Sequence, residues 1–363
     1  MTQRTGASSH TGPPAAPNPR GPLSTALLSA LYRSPESLPG QWAEDLSELA
    51  RQTASGPVED DDFQLSLWLL YQLHYQGLAD VDDHWEWHPS LMSVTRILER
   101  PLERHLRLLA APHLPAGVVQ PDDLPQALAD VIRSADGPSL SSYLARQATR
   151  EQFAEFLVHR SVYHLIEADP HSWAIPRLSG TPKVALVEIQ ADEYGGGRPE
   201  WMHAKLFADT MSDLGMDTAY AAYIDEVPAI TLLWVNTMSL FGLHRRLRGA
   251  TCGHLAALEM TSSLPNRRYG SGLRRLGLSA PSTTCYFDEH IEADAVHEQI
   301  AAHDLAAALA RQDPNIVTDI LFGAACAVLT DTAVATHLLE RWKRQPESPS
   351  ETQTAVLSGS SLT

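Results

Sequence analysis

The stretch Glu188-Ile-Gln-Ala-Asp-Glu193-Tyr-Gly-Gly-Gly-Arg198-Pro-Glu-Trp-Met-His203 carries the pattern around which the chain is organised. Acidic side chains end one apolar run at Glu193, three glycines follow, and His203 lies one turn into the next run. Thr181 and Pro182 are a good cap and first position for a helix over 183–193. The glycines interrupt that helix and Pro199 starts the next, so the pattern predicts helix, turn and helix.

A second stretch, His290-Ile-Glu-Ala-Asp294-Ala-Val-His297, follows about ninety residues later. At roughly 100° per residue, offsets of four and seven place His290, Asp294 and His297 within about 60° of arc on one helix face. An exposed polar face would give the same stripe. We favour a bound metal, because three side chains able to bind one share the face.

Composition limits the classes of function. The chain has 363 residues, 44% of them hydrophobic, which is enough for a large core. The formal charge of -17 disfavours nucleic acid and anionic membranes as partners. Three distant cysteines, Cys252, Cys285 and Cys326, form neither a disulfide framework nor a zinc ribbon pattern. No secretory signal and no long apolar run is recognisable, so we expect a soluble, cytoplasmic protein.

The periodic segments have a helical period, and none shows the sustained alternation of strands. The sequence therefore predicts an all-α fold. Pro- and Gly-rich segments suggest four parts: a disordered tail over 1–22, an N-terminal helical extension over 23–125, a main domain over 126–345 and a disordered tail over 346–363.

A further carboxylate, Glu167, lies on the apolar stripe of a helix that starts at a capping box, Thr149 to Gln152, and stops at Asp169-Pro170. A buried carboxylate without a partner is costly. With it, six residues form the predicted metal site: Glu167, Glu193, His203, His290, Asp294 and His297. Oxygen and imidazole donors without thiolate favour iron or manganese, and six of them suit a dinuclear centre in a helix bundle.

The ligand pattern resembles that of the heme-oxygenase-like diiron oxidases, often labelled iron-containing redox enzymes. Glu193 with the glycine turn and His203 resembles the second core helix of that family, Glu167 its first, and His290, Asp294 and His297 a later one. The resemblance covers about 140–345. It implies a seven-helix bundle that binds two Fe(II) ions where heme oxygenase binds heme, with O2 as co-substrate and an external electron donor.

Glu259 bears on the reaction type. Members of the family that oxidise nitrogen tend to supply an additional carboxylate from the third core helix, and Glu259, 31 residues before His290, resembles that ligand. The alternative is an ion pair with Arg267 or Arg268 at a helix end. No catalytic residue beyond the ligands is predicted.

The resemblance implies an oxygenase that acts on a small amine or amino acid and gives a hydroxylamine, oxime or nitro product, as in specialised metabolite biosynthesis. One alternative is an oxidase that cleaves a carbon-carbon bond of an amino or fatty acid to give an alkene. Another is a non-catalytic iron-binding protein. A substrate carboxylate would need a cation, for which the candidates are Arg198, Arg268, Arg274 and Arg275.

The N-terminal part suggests an assembly. The apolar run from Phe63 to Leu73 and the segment from Trp85 to Trp87 are more apolar than a small helical appendage needs. We therefore expect a homodimer.

Overall fold

The computed structural model describes residues 12–135 and 137–344, apart from the side chains of 292–295. Within these ranges all regular secondary structure is helical and no strand occurs. The predicted all-α fold is confirmed.

Six helices form the part of the chain before residue 147. They are α1 (Pro22–Leu31), α2 (Gln41–Thr53), α3 (Asp61–Gln72), α4 (Pro89–Ala110), α5 (Leu124–Ser134) and α6 (Leu140–Arg146). The side chain of Asp60 caps α3 by accepting a hydrogen bond of 2.9 Å from the Phe63 N–H. Nearly every residue of α3 is buried, because α1, α4 and α11 surround it.

The remaining helices carry the predicted metal site. They are α7 (Arg150–His164), α8 (Asp169–Ser172), α9 (Gly180–Glu193), α10 (His203–Asp213), α11 (Ala229–Leu243), α12 (Arg248–Arg275), α13 (Pro281–Gln299), α14 (Ala308–Gln312) and α15 (Val317–Arg344). A π-helical stretch, Ile300–Ala307, joins α13 to α14.

Helices α12 and α15 pack along each other at the centre of the molecule. Gly253 on α12 and Gly323 on α15 allow the close approach, since a Cβ at either would collide with the backbone carbonyl of Ile320 or Ala250. Among the described residues, Pro314–Arg344 is the one helical stretch long and apolar enough to cross a membrane, and 61% of its apolar window is buried in the core. Core packing accounts for that composition. A cytoplasmic location stays a prediction.

Residues 12–21 were expected to belong to a disordered tail, and the structure corrects that expectation. The Asn18 N–H donates to Asp225 Oδ1 at 3.0 Å, and the Ala79 N–H donates to the Pro14 carbonyl at 2.8 Å. The sequence could not show these partners because they lie far along the chain. The rest of the two predicted tails, 1–11 and 346–363, lies outside the described residues.

One hydrophobic core runs across the predicted boundary near residue 125. Helix α3 packs on α11, and both α4 and α5 pack on α15. The division of the chain into an extension and a main domain stays a prediction. The helices before and after residue 125 share one core.

The apolar residues that suggested a homodimer are largely covered within the chain. Helix α3 is buried, and Trp85 is fully buried with its Nε1–H donating to the Arg33 carbonyl at 3.0 Å. Trp87 remains 63% exposed. The homodimer stays a prediction, and most of the surface that motivated it has another explanation.

Candidate metal centre

Five of the seven predicted ligands are described on four helices of the bundle. Glu193 ends α9, His203 begins α10, Glu259 lies on α12, and His290 and His297 lie on α13. All five side chains are buried.

Glu167 is buried as predicted, but it does not lie on a helix. Helix α7 ends at His164, and the Ile166 N–H bonds to the Tyr163 carbonyl in the turn that follows. The apolar periodicity of the sequence continues past this point, so it did not reveal the change of backbone. The turn brings the Glu167 carboxylate beside α13.

Asp294 lies within α13, but its side chain lies outside the part of the structure that is described. Its role as a ligand stays a prediction from the sequence.

The glycine turn brings Glu193 next to His203. Gly195, Gly196 and Gly197 have φ values of 78°, 57° and 83°, in the left-handed region that favours glycine. A Cβ at Gly195 would lie 2.7 Å from the backbone nitrogen of Met202. Glycine is therefore required at this position both by conformation and by space.

The ligand atoms form two overlapping groups. Atoms of Glu167, Glu193, His203 and His290 lie within 4.8 Å of one another, and atoms of Glu193, Glu259 and His297 do the same. Glu193 belongs to both groups. The donors are carboxylate oxygens and imidazole nitrogens, which suit iron.

Several of these atoms are buried without a hydrogen-bond partner. His203 Nδ1 lies 2.7 Å from Glu193 Oε2, yet neither atom has a partner with hydrogen-bond geometry. His297 Nδ1, which lies 3.4 Å from Glu259 Oε2, is also without one. Because unpartnered buried polar atoms are costly, the arrangement fits a cation that these lone pairs would share.

Neighbouring groups orient the ligands. His290 Nδ1 donates to the Tyr286 carbonyl at 2.7 Å, which leaves the lone pair of Nε2 free to bind a metal. His297 Nε2 lies 3.1 Å from Asp192 Oδ2, which leaves Nδ1 for the cluster. The Tyr286 hydroxyl donates to Glu167 Oε2 at 2.8 Å. Such contacts fix the tautomer and direction of metal ligands.

Charge coupling in the cluster is strong. Burial, opposed by His203 and assisted by the nearby carboxylates of Glu167 and Glu259, raises the pKa of Glu193 to about 7. Burial opposes a charge on His203, but the carboxylate of Glu193 outweighs it and raises the pKa of His203 to about 9. Protons therefore balance the carboxylates in the metal-free chain, and metal binding would release them.

Two other groups complete this balance. Burial would raise the pKa of Glu167, but the electrostatic effect of His164 and its contact with the carboxylate hold that pKa at about 2. Burial lowers the pKa of His290 to about 3, so this imidazole is neutral, as a metal ligand must be.

Glu259 faces the cluster. Among the described residues its recorded ion pair is with His297, whereas Arg268 donates to the hydroxyls of Ser139 and Ser141, each at 3.3 Å. The alternative of an ion pair with Arg267 or Arg268 is wrong, because Glu259 is buried on the side of α12 that faces α13.

A cavity of about 320 Å³ adjoins the cluster, and both Glu167 and His290 line it. Most of its other lining is aromatic or apolar, including Phe156, Trp234 and Phe287. A cavity of this kind suits a small organic molecule.

None of the four predicted arginines lines this cavity. Arg198 is exposed and stacks over Trp201 at 5.0 Å. Arg274 pairs with Asp288 at 2.5 Å, and Arg275 donates to backbone carbonyls that include that of Ala148. Arg268 is bonded to serine hydroxyls, so these arginines have other partners.

Sequence reasoning missed Arg160, His164, Asp192 and Tyr286. Arg160 lines the cavity, and the other three contact the predicted ligands. Their signal was weak but present: Tyr286 lies one helical turn before His290, and Arg160 falls on the apolar stripe of α7.

Comparison with known proteins gives a family for part of the chain. The model of a family described as iron-containing redox enzymes matches residues 154–332, which include every predicted ligand. This segment, just under half of the 363 residues, belongs to the iron-containing redox enzyme family. It is an oxidoreductase with a heme-oxygenase-like, all-α fold.

No curated protein matches the chain. A solved structure of a CADD-like protein of unknown function from Nostoc punctiforme is 17% identical, with a TM-score of 0.44. The alignment covers 67% of this chain and 97% of that one.

Proposed function

We propose that the chain is a non-heme diiron oxygenase that uses O2 to oxidise the nitrogen of a small amine or amino acid. The observation that carries the proposal is the position of Glu193, whose carboxylate belongs to both groups of ligand atoms. A carboxylate shared in this way suits a bridge between two metal ions.

One iron would be held by Glu167, Glu193, His203 and His290, and the other by Glu193, Glu259 and His297 with Asp294. Bound ferrous iron supplies the electrons and the open coordination positions that O2 activation requires, and an external reductant would restore it.

The residues of the chain supply position and exclusion of water. Tyr286 and Asp192 hold the ligands in place through their contacts with Glu167 and His297. The aromatic walls of the cavity keep the substrate in a dry space beside Glu167 and His290. A fixed geometry in a dry site favours reaction with the bound molecule over side reactions with solvent.

Glu259 favours nitrogen oxidation over carbon-carbon cleavage. Its carboxylate is buried and adjoins the cluster, as expected of the additional ligand in the members of the family that oxidise nitrogen. The cavity that reaches Glu167 and His290 favours an enzyme over a protein that only binds iron.

The test is incubation of the ferrous-loaded chain with O2, a reductant and a panel of amines, amino acids and fatty acids, followed by mass spectrometry. We expect products that have gained oxygen on nitrogen. His203→Ala should abolish them, whereas His84→Ala, at a histidine whose side chain is 83% exposed, should not. Loss of a carbon fragment would point to cleavage instead. If none of these substrate classes gives a product, the proposal that the chain is an enzyme is contradicted.

A further inference from the structure

Arg160 is a buried cation in the wall of the cavity. Its side chain is 8% exposed, and Nη1 lies 2.6 Å from Asp331 Oδ1 on α15. The guanidinium lies over the ring of Trp234 at 4.7 Å and that of Phe156 at 5.4 Å. Tyr269 is a further partner. These contacts fix the plane of the guanidinium.

Arg160 and the predicted iron ligands line different parts of the same cavity. Arg160 precedes His164 by one turn of α7, and His164 Nδ1 lies 3.1 Å from Glu167 Oε1. A rise of 1.5 Å per residue places Arg160 about 6 Å from His164 along the axis of α7, and Glu167 lies in the turn that follows His164. Arg160 and Glu167 both line the cavity. One end therefore has the Arg160 guanidinium with its partner Asp331, and the other has the predicted iron ligands.

The space between these ends is apolar. Trp234, Tyr163 and Phe287 line it together with Phe156. A molecule that fills the cavity needs a body that can pack against aromatic rings. Only its two ends meet groups that are charged.

The ion pair with Asp331 leaves room for a second anion. A guanidinium presents five donors in a plane and remains charged at any ordinary pH. The side chain of Asp331 is 41% exposed, so water stabilises this partner at the rim of the cavity. An incoming carboxylate would meet a donor that is buried, planar and already oriented, which is the arrangement that favours bidentate binding.

We propose that Arg160 binds the carboxylate of the substrate, and that Asp331 neutralises the guanidinium when the cavity holds no substrate. The substrate class is then an organic acid with an aromatic or apolar body whose other end faces Glu167 and His290. This inference rests on the proposed function only for the group that reacts. If the substrate is an amine, its nitrogen lies at the end of the molecule away from the carboxylate. A purely structural ion pair is the rival explanation.

The experiment measures binding of a matched pair of probes by calorimetry under anaerobic conditions, with the full chain loaded with ferrous iron. The probes are 3-phenylpropionate and its neutral amide. We expect the acid to bind at least about tenfold more tightly than the amide, as a hydrogen-bonded charge pair would give. Arg160→Lys, which keeps the charge but loses the planar donors, should weaken acid binding about tenfold and leave the amide unchanged.

Arg107→Lys is the matched control. Arg107 also lies over an aromatic ring, Phe322 at 4.4 Å, and also pairs with an aspartate of α15, Asp319 at 3.3 Å. It does not line the cavity. Its replacement should leave the binding of both probes unchanged.

A second variant protects the test against misfolding of the first. Asp331→Asn removes the internal competitor at a half-exposed position, so the acid should bind more than about threefold more tightly. Weaker acid binding in this variant would overturn the proposal. Equal weakening of acid and amide in Arg160→Lys would assign Arg160 a structural role and would also overturn it.

Two further outcomes count against the inference. If the acid does not bind to the parent chain, Arg160 is not a carboxylate site. If Arg160→Lys leaves acid binding unchanged, the iron holds the carboxylate instead. Iron content and oxygenated products are measured separately, so failure of the proposed reaction with intact acid binding would leave this inference standing.

Discussion

Glu193 Oε2 and His203 Nδ1 lie 2.7 Å apart in the interior, although three glycines separate the helices that carry them. Neither atom has a hydrogen-bond partner. Each of these two atoms has a lone pair, and a bound cation or a shared proton is needed to compensate both lone pairs in the interior. The pair is compatible with iron binding.

Anaerobic ferrous titration should saturate near two irons per chain. His203→Ala and His297→Ala should each lower this number towards one or zero, because each removes a ligand from one of the two groups. Iron analysis after desalting is the measurement, with His84→Ala as the exposed control. Two irons retained in both variants would reject the site.

Glu259→Ala should leave α12 folded, since alanine is the better helix former. It should weaken the binding of one of the two irons. The change takes the nearest carboxylate away from His297 Nδ1, which lies 3.4 Å from it. Circular dichroism and iron analysis check both parts. Glu188→Ala, at an exposed position of α9, is the control. Iron content equal to that of the parent would remove the main reason to favour nitrogen oxidation.

Gly195→Ala should cost both stability and iron, whereas Gly277→Ala should cost stability alone. Both glycines have nearly the same φ, 78° and 79°, so alanine is strained by about 1–2 kcal/mol at either. Only at Gly195 would the Cβ meet backbone, at 2.7 Å from Met202 N. Urea denaturation and iron titration separate the two effects. Equal iron content in both variants would mean that the turn does not position the ligands.

Acid should destabilise the metal-free chain through its buried histidines. Burial lowers the pKa of His159 to about 3, and its Nδ1 lies 2.7 Å from the Thr231 hydroxyl. The unfolded chain, with an ordinary pKa near 6.5, binds this proton first, so the free energy of unfolding falls as pH drops from about 6.5 towards 3.

His159→Gln tests this dependence. The variant should lose about 1.4 kcal/mol per pH unit of that slope, because one titrating group is gone. Urea denaturation at pH 7 and pH 5 measures it. Parallel slopes for parent and variant would show that His159 is not a neutral buried group.

Short-range patterns predicted part of the site from the sequence. The spacing of His290 and His297 on one helix face, and the glycines between Glu193 and His203, depend on local backbone geometry. These four residues lie close together, as expected. The helical period likewise predicted the fold class.

Long-range packing determined what the sequence did not show. Arg160 lies on the apolar stripe of α7, but the sequence did not reveal that Trp234 on α11 and Asp331 on α15 are its neighbours. Glu167 left its helix because the hydrogen bonding changes at Ile166, where the apolar pattern does not. Residues 12–21 acquired partners more than fifty positions away.

The wall of the cavity extends beyond the segment that defines the family. Ile132 and Ala135, which line the cavity, precede the matched range of 154–332, while every predicted ligand lies inside it. A small part of the cavity wall therefore lies outside the segment that holds the predicted ligands and Arg160. Replacement of residues around α5 could change which molecules bind in the cavity without replacing any predicted ligand. This region is therefore a natural place to engineer substrate selectivity.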